Sequence, residues 1–311
     1  MNFTSILNKL QSDRPAFSST LIIIGVVLLA MVIGNVAAAL FMILIGGIGM
    51  NDLGDINNAL MSSSSGWWAI MVGQGVAAII TFIGAGIFYW KVVEKKELSA
   101  FNFNALPKPP VFLFVILTQL VFLPFNGWLQ ELNEGMKFPE ALSGLESFFK
   151  RMEDSLAEIT KFLTTFDSFL KMLVGLVVIA IVAGIGEELI FRGLIQRKLY
   201  KGLNNPHAAI WVAAFIFSAI HMQFYGFLPR LMLGALFGYF YFWTGNIWVP
   251  MVAHIFNNGF AVVMFYLSHT GVINTDLEEL ETFPLSVVIA SLLLTGGLIW
   301  YFRKEQSSSI S

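Results

Sequence analysis

From about Ser19 to Ile45 the sequence runs for a full bilayer's length without one charged side chain. In hydrocarbon every peptide N–H and C=O must find its partner within the protein, so only helices and closed barrels cross. A continuous apolar run of roughly 20 residues is the helical solution. Comparable runs recur at about 67–90, 111–128, 169–195, 208–225, 228–244, 250–268 and 284–302. The pattern predicts an all-α polytopic membrane protein, a bundle of about eight transmembrane helices plus an amphipathic surface helical segment. Composition agrees: 12% of the 311 residues are charged, against about 25% in a soluble domain.

The connections carry their own signals. Phe3, Ile6, Leu7 and Leu10, with Lys9 and Arg14 among them, predict a short helix on the membrane surface. The first run is too long for a signal-peptide core and is read as a retained span. Gly34 and Ala38 allow close helix approach, and Asn35 and Gln74 read as packing hydrogen bonds. Pro124 predicts a kink in the third span. Over residues 129–167 Phe138, Leu142, Leu145, Phe149, Met152, Leu156, Ile159 and Phe166 recur at helical steps between charged residues. That is the amphipathic segment, read as a connector packed on the bundle.

Lys and Arg crowd the N-terminal arm, the second loop (Lys91, Lys95, Lys96, Lys108), the fourth (Arg197, Lys198, Lys201) and the end of the last span (Arg303, Lys304), and are missing from the first and seventh loops. Positive charge marks the cytoplasmic side. The expectation is a plasma (inner) membrane protein with both termini in the cytoplasm and the Arg192 end of the fourth helix near that face. Three parts follow: 1–168, an N-terminal membrane part; 169–268, a core of four spans; and 269–311, the last span and a polar tail. No basic stripe points to nucleic acid. The chain has no cysteine, which excludes disulfides, thiolate metal sites and a cysteine nucleophile.

Within the fourth span lies Gly184-Ile185-Gly186-Glu187-Glu188-Leu189-Ile190-Phe191-Arg192-Gly193. Ionisable groups in a membrane span are expensive and mark function by default. Glu188 and Arg192, four apart, can pair along one face, which leaves Glu187 about 100° round the helix without that partner. His221 follows in the fifth span with Phe217 one turn before it, and His254 and Asn258 share a face of the seventh. His207 and His269 lie at helix ends and are assigned no role. A carboxylate in apolar surroundings can take a proton from water, a histidine can hold that water or shuttle the proton, and a histidine with an asparagine can donate to an oxyanion. Together the parts make an amide hydrolase using activated water. There is no Gly-x-Ser-x-Gly elbow and no His-Glu-x-x-His. By ligand type alone a zinc on Glu187, His221 and His254 stays open as an alternative.

Glu187-Glu188-x-x-x-Arg192, Phe217-x-x-x-His221 and His254-x-x-x-Asn258 resemble, in order and spacing, the three motifs of the CAAX-protease and bacteriocin-processing (CPBP or Abi) family of type II CAAX prenyl endopeptidases. The likeness covers about residues 170–265. It implies an eight-helix intramembrane glutamate protease, free of metal, with its site open to the cytoplasmic side. Carried over by position, Glu187 is the general base acting with His221, His254 and Asn258 form the oxyanion hole, and Glu188, Arg192 and Phe217 support them. The competing readings are a non-enzymatic chaperone, immunity or scaffold protein of the same architecture and a proton-coupled transporter. Nothing in the sequence reads a prenylated tail, and the expected partners are a peptide or protein substrate and the bilayer. One geometric demand follows: His221 and His254 lie at different depths on straight helices, so tilt or a sunken Gly245–Pro250 turn must bring them together.

Overall fold

Apolar surroundings oblige the backbone to satisfy itself, and among the described residues (15–49, 55–101, 106–273 and 283–308) every regular element is helical. The structure is a computed structural model. Its helices are α1 (Ala16–Gly46), α2 (Ile56–Ser62), α3 (Gly66–Val93), α4 (Pro109–Glu134), α5 (Ser143–Thr164), α6 (Phe169–Leu203), α7 (Pro206–Ala219), α8 (Phe227–Thr244), α9 (Trp248–His269) and α10 (Leu285–Ser308). The surface helix expected around Phe3–Leu10 and the acidic loop of Asp276, Glu278, Glu279 and Glu281 lie outside the described residues.

Among the described residues six helices, α1, α3, α4, α6, α9 and α10, are long and apolar enough to cross a membrane, where eight were expected. The fifth run, expected at 208–225, stops being helical at Ala219, so α7 has 14 residues and is about 21 Å long. Side chains end it: Ser218 Oγ donates to Phe227 O at 2.7 Å, and Met222 adopts φ 55°. His221 therefore sits in a break between helices. The 18 residues of α8 include Arg230, and it is not among the six.

Helix α4 starts on Pro109 and Pro110, where the missing N–H groups are unneeded. It continues through Pro124, because α10 repairs the damage. Ser291 Oγ donates to Val121 O at 2.6 Å and accepts from Phe125 N at 3.2 Å, inserting a hydroxyl into the ladder. Helix α5 is mostly exposed. It is fastened to the break after α7, where Phe149 and Phe138 pack on Phe224 and Glu153 accepts from Tyr225 N at 3.2 Å.

Helix α6 is the axis, and every residue from Gly186 to Lys198 is buried. Two stretches of wider, π-type turn, Leu176–Val182 and Phe191–Gln196, flank the regular segment Ala183–Ile190 that carries both glutamates. Such turns cluster at functional sites. Glycines set how closely its neighbours come. A Cβ on Gly184 would stand 3.0 Å from Ile255 N on α9, and one on Gly186 would stand 2.8 Å from Phe82 Cβ on α3. The C-terminal ends of α3 and α6 meet, with Lys198 Nζ 2.7 Å from Glu94 Oε1 and Arg197 over the Trp90 ring.

Backbone cannot yield at Gly184 as a side chain would. Gly184→Val is expected to force α6 and α9 apart and to destabilise the protein by about 1–3 kcal/mol, read as a lowered thermal midpoint of the detergent-purified chain.

Candidate active site

The motif residues converge. Glu187, Phe217, His221, His254 and Asn258 all line one cavity of about 280 Å³, whose walls come from α4, α6, α8, α9 and the break after α7. Phe217 links the two histidine depths: its ring centroid lies 5.2 Å from that of His221 and 5.9 Å from that of His254. The early end of α7 answers the depth difference that straight helices would have left.

Behind the cavity wall the supporting residues form an ion pair, with Glu188 Oε2 and Arg192 Nε buried and unpartnered. Arg192 Nη1 donates to Glu188 Oε1 at 2.6 Å, with 1% and 0% side-chain exposure. Arg192 Nη2 donates to Gly234 O on α8 at 2.6 Å, and one turn on Gln196 Nε2 donates to Gly238 O at 3.0 Å. The guanidinium also stands over the Phe217 and Phe237 rings at 5.2 and 5.6 Å. The small residues of α8 thus do more than permit close packing, since their carbonyls are the acceptors that fix α6. His254 Nδ1 is 2.9 Å from Glu188 Oε1, so Glu188 receives two donors from two helices.

Glu187 is differently placed. Its Oε2 is buried without a hydrogen-bond partner, and His254 Nε2 lies 3.9 Å from it, beyond hydrogen-bond reach. The histidine tautomers follow from their neighbours. His221 Nδ1 is 2.7 Å from Phe217 O, and a carbonyl only accepts, so Nδ1 carries the proton and Nε2 presents a lone pair. Asn258 Nδ2 donates to Ile179 O in the first wide turn of α6 at 3.0 Å, and Asn257 Nδ2 donates to Asn258 Oδ1 at 3.1 Å. Among the described residues no three His, Asp or Glu side chains form a group that could hold a metal ion, the trio Glu187, His221 and His254 included.

Asn126 and Gln130 of α4, Arg230 of α8 and Asn257 of α9 also line the cavity. Sequence reasoning assigned none of them. Arg230 was legible as a cation inside an apolar run, by the same rule that marks Glu187. Asn126 and Gln130, four apart just past Pro124, form a polar edge on the third span. Glu187 lies near the middle of α6, and these added wall residues stand at the end of the bundle where α4 finishes and α8 begins. The opposite end of α6, toward Arg197 and Lys198, is filled by Phe191, Leu194, Ile195, Tyr241, Ile247 and Met251.

Comparison with known proteins points the same way as the motifs. The model of the Rce1-like type II CAAX prenyl endopeptidase family matches residues 169–260. The putative membrane peptidase YdiL of Bacillus subtilis is 36% identical over 89 residues, 29% of this chain and 36% of that protein. The membrane-embedded CAAX protease MroQ of Staphylococcus aureus is 29% identical over 96 residues, 29% of this chain and 38% of its own. The uncharacterized protein YpbD of Bacillus subtilis is 31% identical over 83 residues, 25% of this chain and 39% of that protein. The chain thus spans less than two fifths of the length of each of these relatives. No solved structure matches it. The segment 169–260, which holds all three motifs, is similar to the Rce1-like type II CAAX prenyl endopeptidases and to these membrane proteases.

Proposed function

We propose that the chain is an intramembrane endopeptidase that hydrolyses a peptide bond of a membrane-associated peptide or protein with water activated by Glu187 and His221. The observation that carries this reading is the division of labour between adjacent carboxylates. Each carboxylate keeps a buried, unpartnered Oε2, but Glu188 is held through Oε1 by Arg192 and His254, while Glu187 lines the polar cavity. Glu187 accepts a proton from water as its oxygen bonds to the scissile carbonyl carbon, and the carbonyl becomes an oxyanion. His221 Nε2, unprotonated in this tautomer, holds the water or relays its proton. Collapse of the intermediate breaks the C–N bond, and the proton held by Glu187 or His221 passes to the leaving nitrogen, giving one acid and one amine.

The oxyanion role of His254 and Asn258 asks two things of this geometry. His254 must carry a proton on Nε2, 3.9 Å from Glu187 Oε2, as well as on Nδ1, 2.9 Å from Glu188 Oε1. Asn258 must use the second hydrogen of its amide, since the first serves Ile179 O. Such donors are typically worth about 3–4 kcal/mol each in the transition state. Eight crossings with both termini in the cytoplasm are supported by the Lys and Arg distribution and by the meeting of the basic ends of α3 and α6.

The decisive test screens a quenched-fluorescent peptide library with the detergent-purified protein. Glu187→Gln is expected to lower kcat about 10²–10⁴-fold with an unchanged thermal midpoint, and wild-type turnover by that variant would sink the proposal. Arg192→Met should behave in the opposite manner. Stranding the Glu188 carboxylate is expected to cost about 3–5 kcal/mol of stability, and the double variant Glu188→Leu/Arg192→Met to recover part of it. Denaturation of the four proteins of that cycle measures the coupling.

A further inference from the structure

The ionisable groups of this site divide into one ion pair set back from the cavity and two members that line it. Glu188 and Arg192 neutralise each other behind the wall, whereas Glu187 and Arg230 both line the cavity. Arg230 Nη2 donates to Gln223 Oε1 at 2.9 Å. Its Nη1 is buried with no hydrogen-bond partner, and Arg230 takes part in none of the ion pairs among the described residues. Glu153 on α5, one of the two acids whose charge reaches it, already accepts from Tyr225 N. The other is Glu187 itself. A guanidinium stays charged in a protein and offers a planar fork of donors matched to a carboxylate. An unmet donor of this kind in a buried wall is an open valence for an anion.

Resting on the protease reading, we propose that Arg230 receives a carboxylate of the peptide substrate and so determines which peptides the cavity accepts. An anionic peptide entering this cavity loses hydration and meets Glu187, a like charge. Arg230 offsets both effects, and it orients the peptide by holding one charged point while the scissile bond lies toward Glu187. A chain-terminal carboxylate and an Asp or Glu side chain supply the same chemistry. Arg230 is a specificity-determining group and takes no proton in the reaction.

The best-cleaved library peptide is made in three forms: the free acid, the C-terminal amide, and the acid with its Asp and Glu changed to Asn and Gln. Cleavage is measured with wild type, Arg230→Gln and Arg230→Lys, and binding by fluorescence anisotropy to the uncleaving Glu187→Gln protein with and without Arg230→Gln. Wild type is expected to lose about tenfold in kcat/KM and in affinity for one neutralised form. Loss with the amide identifies the chain end, and loss with the Asn/Gln form identifies a side chain. Arg230→Gln should treat all forms alike, and Arg230→Lys should restore part of the preference, which separates charge from a folding defect. Forms equal within about twofold on wild type, or a preference that survives Arg230→Gln, would overturn the inference and leave the protease reading standing. Should wild type cleave no library peptide, the protease reading falls and takes this inference with it.

Discussion

A guanidinium and a carboxylate, each sealed from solvent, hold one another at 2.6 Å in the middle of α6, and the placing of two other helices depends on them. Arg192 spends its second amino group on the backbone of α8, and Glu188 accepts a second donor from His254 on α9. Neither charge would persist alone in an apolar bundle, since desolvation of either by itself outweighs any packing gain. Paired, they act as a three-way joint. The joint also disposes of one glutamate of an adjacent pair, and that leaves its neighbour's oxygen bare on the cavity side. Structure and chemistry are thus produced by the same two residues.

Glycine makes the joint geometrically possible. Gly184 and Gly186 let α9 and α3 approach the backbone of α6, and Gly234 lets α7 and α8 close on each other while its carbonyl meets Arg192. The wide turns at Leu176–Val182 and Phe191–Gln196 shift the helix phase before and after the motif. One of them supplies the Ile179 carbonyl to which Asn258 Nδ2 donates. The site is therefore held by backbone atoms at several points, where side-chain variation elsewhere in the bundle has little leverage.

The apolar runs marked where most of the helices lie, and the motifs marked Glu187, His221 and His254, which the fold brings to one cavity, because both are written in residue type and spacing. The i, i+4 ion pair was legible for the same reason. What the sequence hid depended on partners distant along the chain. The run that continues to Tyr225 looked long enough to span, yet α7 ends at Ala219 because Ser218 and Met222 turn the backbone toward Phe227. The helical ladder beside Pro124 is bridged by Ser291, 167 residues away in sequence. Arg230 was visible as a misplaced charge but acquires meaning only from the cavity, and Asn126 and Gln130 join the site through the packing of α4 on α8 and α9.

The aromatic and aliphatic core between Phe191 and Met251 has a consequence beyond stability. It backs the chamber with aromatic and aliphatic side chains, so that the polar lining gathers on the other flank, beside the break that carries His221 and the α5 strap fastened to it.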